Sequence, residues 1–374
     1  MSSTNRNVQN IRYTGSSLQE PAVITYTDRD GKQQSETIPP YIPASELLHV
    51  VELMRILKRP LLIKGAPGSG KTRLSKALAY ELYGKDYRNY YFEWNIKSTS
   101  KAKDGLYTFD YLERLRDAQD KKVLHPEKYV RKGPLGKAFE ASTAETPAIV
   151  LIDEIDKADI DFPNDLLLEL DQLRYEIEEI APDMENQLAR VQRAEYPPII
   201  FITSNEEKEL PPAFLRRCLF FYIEFPGKAD LENIVQANFP FLKNEAVKSA
   251  VSRFDNLRNE MKKHPNTEKE VSTSELLDWM RAIAHFFEEK VKAELEKLLQ
   301  SKPAQSDEIE GILKAFSEKK PLNKEMGKLV DELIPDLSAS LIEDLDNKAL
   351  VDLYPYLLVK SLNDFKIHIL NSNA

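Results

Sequence analysis

The sequence predicts an α/β fold: a five-stranded parallel sheet clothed by helices, followed by an α-helical region. Three observations predict it. From about residue 45, short continuous apolar runs alternate with helical periodicities, the pattern of strands buried on both faces. The octet Gly65-Ala66-Pro67-Gly68-Ser69-Gly70-Lys71-Thr72 lies between one such run and a helical stretch. After Pro226-Gly227 strand patterning ceases.

Residues 1–40 are polar. Ala22 to Tyr26 and Glu36 to Ile38, separated by Asp28-Arg29-Asp30-Gly31, read as a β-hairpin or mobile arm. The five strand candidates are Pro60 to Lys64, Tyr90 to Ile96, Ala148 to Ile152, Ile199 to Thr203 and Leu219 to Phe225. A helix from Thr72 to Tyr83 carries Leu74, Ala77, Leu78 and Leu82 on one face, with Gly84 as its stop. Residues 227–374 read as helical, for example Phe286 to Leu299 with Phe287, Val291, Leu295 and Leu298 on one side. The Lys/Glu/Ser/Pro-rich tract at 300–326 reads as a solvated insertion or linker. The predicted domains are therefore 1–44, an arm; 45–226, the α/β domain; and 227–374, a helical lid with a C-terminal extension.

Composition narrows the class. At 42% hydrophobic and 30% charged residues, the chain has material for a core, and no apolar run approaches the ~20 residues of a membrane span. Cys218 is the single cysteine, so no intrachain disulfide can form. With an N-terminus lacking a basic-then-apolar profile, this points to the cytoplasm. A net charge of −9 argues against a general nucleic-acid coat while leaving room for a local basic patch. The five histidines are scattered without ligand spacing, so no transition-metal site is predicted.

The octet satisfies G-x-x-x-x-G-K-[ST]. Its glycines let successive backbone N–H groups face phosphate oxygens, and the following helix adds the positive end of its dipole. Lys71 would neutralise the β/γ-phosphates, and Thr72 would ligate Mg²⁺. A Gly-rich turn with an adventitious lysine is the plainer alternative. Three of the chain's twelve glycines fall within the six positions 65–70, between a strand and a helix, which is the context the motif requires. The second piece is Ile149-Val150-Leu151-Ile152-Asp153-Glu154. A strand ending in two carboxylates places Asp153 to hold Mg²⁺ and Glu154 to polarise an attacking water. Alone, such an end is usually a cap or solvated turn; after a phosphate-binding loop it favours hydrolysis over transfer to a hydroxyl.

P-loop, Asp153-Glu154, a strand ending Thr203-Ser204-Asn205, then Leu215-Arg216-Arg217-Cys218 and a helical tail together resemble an AAA+ ATPase, over about residues 45–300. The resemblance implies an AAA+ P-loop core with ATP and Mg²⁺ as cofactors. It implies Asn205 as the strand-end residue sensing the γ-phosphate, and Arg217, with Arg216 the alternative, as a finger reaching a neighbour's nucleotide in a homo-oligomeric, hexameric ring. Surface pairing of Arg216 and Arg217 with acids is the plainer reading. Gly133-Pro134-Leu135-Gly136 and the helix from Asp159 to Leu173 are similar to the MoxR group. Glu93 to Thr99, Asp104-Gly105-Leu106-Tyr107 and Thr203 to Pro211 resemble its CoxD-like branch. Residues 174–198 look like that branch's hairpin insertion. The resemblance implies a chaperone-like remodeller acting in metallocentre assembly or complex maturation with a von Willebrand factor A domain partner. A motor for DNA restriction or clamp loading is the rival, and a scaffold without turnover would need a broken motif.

Three positions stand apart. Where many AAA+ lids carry a sensing arginine, this chain has Glu275, with Arg281 two turns later. Asn95 reads either as a residue restraining the catalytic glutamate or as an ordinary strand end. Lys101 to Tyr111, with Leu106, Tyr107, Phe109 and Tyr111, reads either as a pore- or partner-facing loop or as a core anchor.

Overall fold

The computed structural model describes residues 8, 11–27, 30–120, 125–181, 190–267, 269–301, 306–317 and 323–334, with 358, 361 and 364. It divides into two compact units. The first comprises residues 1–17, 43–66 and 71–224; the second comprises 18–42, 67–70 and 225–374.

The first unit is built on a five-stranded sheet. From edge to edge its strands are Leu219–Ile223, Leu61–Gly65, Ile199–Ser204, Ile149–Asp153 and Tyr91–Asn95. Every pairing is parallel. Ile149 to Ile152 are fully buried, as are Phe201 and Ile202, because helices cover both faces and leave no room for alternation. On one face Leu62, Val150, Ile152, Ile200 and Ile202 pack with Leu135, Phe139, Ile155 and Phe214. The helix Lys71–Tyr83 buries Leu74, Ala77, Leu78 and Leu82. The strand order brings the C-terminal ends of Ile149–Asp153 and Ile199–Ser204 side by side, with Leu61–Gly65 next to the latter. Strand ends are where α/β sheets place ligands.

An antiparallel pair, Arg174–Glu176 with Val191–Arg193, forms the base of the 174–198 insertion; residues 182–189 lie outside the described residues. It is no loose excursion, since Tyr175, Ile177 and Ile180 are buried. The 101–111 segment divides between its two readings. Leu106 and Tyr107 are buried anchors, and the Tyr107 ring stacks on Tyr175 at 5.8 Å. Tyr111 is 61% exposed, and Leu112 and Leu115 beyond it are exposed too.

Glu179 ties these two segments together. It accepts from Tyr111 Oη at 2.7 Å, Tyr107 Oη at 2.9 Å and Lys103 Nζ at 3.0 Å. Burial alone would raise its pKa, but the donors from Tyr111, Lys103 and Tyr107 overrule it and hold the carboxyl at about 2. Because the folded value lies below the unfolded one, the tether contributes fully above the ordinary carboxyl range and is lost as pH falls toward 2. Glu179→Gln is therefore expected to lower the thermal midpoint at pH 7, with the deficit shrinking between about pH 5 and pH 3. Thermal denaturation across that range checks it.

In the second unit the helices Lys228–Asn238, Asn244–Lys263, Thr273–Ser301, Ser306–Ser317 and Lys324–Leu333 surround one core. Leu231, Val251, Phe254, Leu276, Met280, Val291 and Leu295 are at its centre. The Arg258 guanidinium lies 3.5 Å from the Phe225 ring centre and pairs with Glu270 at 2.6 Å. The tract at 300–326 is not a plain linker: Ser306–Ser317 is a helix that buries Ile309, Ile312 and Ala315. The hairpin Ala22–Thr27 with Gln33–Ile38 is also present, extending the predicted strands, and Asp28 and Arg29 of its turn lie outside the described residues. Most of the C-terminal extension beyond residue 334 does so as well.

Candidate functional site

Lys71, Thr72, Asp153, Glu154 and Asn205, distant in sequence, meet at the ends of three adjacent strands. The octet's backbone explains its glycines. Gly65, Gly68 and Gly70 have φ of 150°, 77° and 90°, values that side-chained residues rarely adopt. A Cβ on Gly68 would also stand 2.5 Å from Ser272 Oγ. Ser69 Oγ is buried without a hydrogen-bond partner. At the helix start, Lys71 is 6% exposed and its ammonium donates to Gly65 O at 2.7 Å and Ala66 O at 3.0 Å. Burial lowers its pKa, and the nearby carboxylates Asp153, Asp156, Glu154 and Glu206 act against that.

A chain of hydroxyls and carboxylates follows. Thr72 Oγ1 donates to Asp153 Oδ1 at 2.9 Å, and Thr203 Oγ1 donates to the same oxygen at 2.6 Å. Thr203 Oγ1 in turn accepts from the Glu154 backbone N–H at 2.8 Å. Glu154 sits in the left-handed region, φ 59° and ψ 52°, which swings its side chain out of the strand line. Its Oε1 accepts from Asn205 Nδ2 at 2.8 Å, and its Oε2 pairs with Lys157 Nζ. The Glu154 carboxylate raises the Lys157 pKa, keeping that ammonium charged.

Arg217 lies apart from this cluster. Its guanidinium donates to Asp171 Oδ2 at 2.7 Å and Ala213 O at 3.0 Å. Arg59 holds the turn that carries it, donating to the carbonyls of Arg216, of Arg217 at 3.1 Å and of Cys218 at 3.3 Å. Asn95 is the register partner of Asp153, while the groups on the Glu154 carboxylate are Asn205 and Lys157. Glu275 accepts from the Ser272 backbone N–H at 2.6 Å and from Ser272 Oγ. Glu275 thus reaches back from the first turn of the helix Thr273–Ser301 to the residue before it, the glutamate half of a capping box, so the position where a lid arginine would be sought serves instead to close the helix start. The signal Ser272-Thr273-Ser274-Glu275 was readable from sequence. Thr203 was named only as part of a strand-end string and Lys157 not at all, yet they touch Asp153 and Glu154.

The donor set fits a magnesium-bound nucleotide. Thr72 and Asp153 offer the hard oxygens that Mg²⁺ takes, and Lys71 offers a cation. Ser69 Oγ is a buried polar atom with unused hydrogen-bonding capacity.

Residues 60–218 match the family model described as AAA domain (dynein-related subfamily). The parallel sheet and the octet agree with that match: this segment has the P-loop fold of an AAA domain. Among matching solved structures is a proline-to-glycine variant of RuvB from Thermotoga maritima, at 12% identity over 79% of this chain and 72% of that one, with a TM-score of 0.39. No curated protein matches the chain. Among the described residues, no helix is long and apolar enough to cross a membrane.

Proposed function

We propose that this chain hydrolyses ATP to ADP and phosphate, with Glu154 as the base that polarises the attacking water. The observation that carries this reading is the hydrogen bond from Asn205 Nδ2 to Glu154 Oε1 at 2.8 Å, beside the Thr72–Asp153–Thr203 chain. It aims a carboxylate at the strand ends, where the octet would present a phosphate. In this reading Gly65 to Thr72 hold the phosphates and Lys71 offsets their charge. Thr72 and Asp153 would hold Mg²⁺, which when bound neutralises charge on the phosphate oxygens. Glu154 takes the water's proton as the oxygen attacks, and Asn205 fixes the carboxylate's direction. Lys157 competes for the same carboxylate, so its ammonium must yield Oε2 as water is engaged.

Arg217 acts on a neighbouring subunit's nucleotide, in a ring taken as hexameric. Its half-exposed pair with Asp171 is what the plainer surface reading predicts, so the motif resemblance, not this contact, carries the role in trans. The motif strings at 93–99, 104–107, 133–136 and 203–211 support the MoxR-type reading. In it the ring is a chaperone-like remodeller of a partner complex, working with a von Willebrand factor A domain protein in the cytoplasm. The domains proposed at 1–44, 45–226 and 227–374 are the arm, the ATPase domain and the lid with its extension.

Phosphate release from ATP is expected to require Mg²⁺, to rise in specific activity with protein concentration, and to be indifferent to DNA. Activity independent of concentration would count against the ring. Stimulation by DNA that fades with salt would replace the remodeller with a nucleic-acid motor.

A further inference from the structure

Asp156 is 2% exposed, and the reading above gives it no role. Among the described residues it makes no ion pair within 4 Å. The Lys71 ammonium is near enough to feel its charge, but a buried carboxylate with no direct ion pair still needs hydrogen bonds, and those of Asp156 all run to one place. Its Oδ2 accepts from the Glu207 backbone N–H at 2.8 Å and from the Asn205 backbone N–H at 3.1 Å, and Oδ1 lies 3.3 Å from the latter. Between these two residues Glu206 adopts a left-handed φ of 65°, and its N–H goes to Ser204 Oγ at 3.1 Å. All three N–H groups of the 205–207 turn are thus taken by side chains at the strand end, two of them by one charged group.

We propose that Asp156 is a positioning residue for ATP hydrolysis, fixing the 205–207 turn so that the Asn205 amide meets Glu154 Oε1. The inference rests on the hydrolytic reading above and deepens it. The Asn205 side chain has two torsions of its own, so its direction toward Glu154 is only as well defined as the backbone beneath it. That backbone leaves the buried strand Ile199–Ser204 and turns at once through a conformation that side-chained residues avoid. A charged acceptor binding two successive-but-one N–H groups is the type of anion–backbone cradle that pins such a turn. Asp156 follows Glu154 by two residues in the short helix Ile155–Lys157, so one segment supplies both the carboxylate and the clamp on its partner.

The test is a double-mutant cycle on the full chain, with kcat and KM for ATP and the thermal midpoint measured for each variant. Asp156→Ala is expected to lower kcat about tenfold with KM within about twofold, and Asp156→Asn, which keeps one oxygen, to lower it about threefold. In an Asn205→Ala background, Asp156→Ala should lower kcat no further. An equal loss in both backgrounds would overturn the proposal, as would a raised KM at unchanged kcat. Should the alanine variant fail to fold, wild-type kcat in Asp156→Asn overturns it equally. Failure of the underlying reading looks different: wild-type protein without Mg²⁺-dependent turnover, or Glu154→Gln with undiminished turnover.

Discussion

Glu154→Gln is expected to bind ATP within a few-fold of wild type while its turnover falls by about 10²–10⁴, the range a positioned general base contributes. Glutamine keeps the volume and can still accept from Asn205 Nδ2, which now meets Oε1 at 2.8 Å. It cannot take a proton from water. It also removes the anion from Lys157, whose pKa is raised by the Glu154 hydrogen bond and charge. Released from that pair, the ammonium is free to reach other anions nearby, so nucleotide affinity should not weaken. Steady-state phosphate release, measured beside equilibrium binding of a fluorescent ATP analogue, separates the two effects. Turnover near that of the parent chain would remove Glu154 from the reaction.

Lys71→Ala should fail one step earlier. The Lys71 ammonium is nearly buried, with two carbonyl acceptors and a surround of carboxylates. Without it, triphosphate would enter a site where Asp153, Asp156, Glu154 and Glu206 have lost the ammonium set among them. Losing a charge-assisted contact to phosphate in so shielded a place should weaken ATP binding by about a hundredfold or more. Lys71→Arg should not restore it, because a planar guanidinium does not occupy the slot of a compact ammonium. Titration of the analogue against each variant decides the matter; an affinity within about threefold of the parent would contradict the role given to Lys71.

Much of the first unit was legible in sequence for a definable reason. Strands such as Ile149–Asp153 and Ile199–Ser204 are buried on both faces, so their apolar runs are unbroken and their ends fall within a residue or two of the predicted ones. The P-loop could be read because its glycines obey a backbone requirement that does not depend on the rest of the chain. What sequence could not convey was pairing at a distance. That Thr203 joins Asp153 to the Glu154 amide follows from the register Ile202 with Ile152, which no local pattern encodes. Arg59 reaching the Arg216–Cys218 carbonyls is a contact across more than 150 positions. The helix Ser306–Ser317 was masked differently: lysines, serines and a proline around it diluted the spacing of Ile309, Ile312 and Ala315. At 101–111 the aromatic count could not say which rings face inward, and the fold buries Tyr107 while leaving Tyr111 exposed.

The left-handed backbone of Glu154 carries a consequence for anyone selecting variants of this protein. Holding a side-chained residue there costs about 1–2 kcal/mol relative to the ordinary helical basin, and glycine is exempt from that cost. Where that cost exceeds what the Asn205 and Lys157 contacts contribute, selection for heat tolerance alone would favour glycine at the position proposed to activate water. Libraries screened for robustness should therefore carry a turnover assay beside the melting measurement.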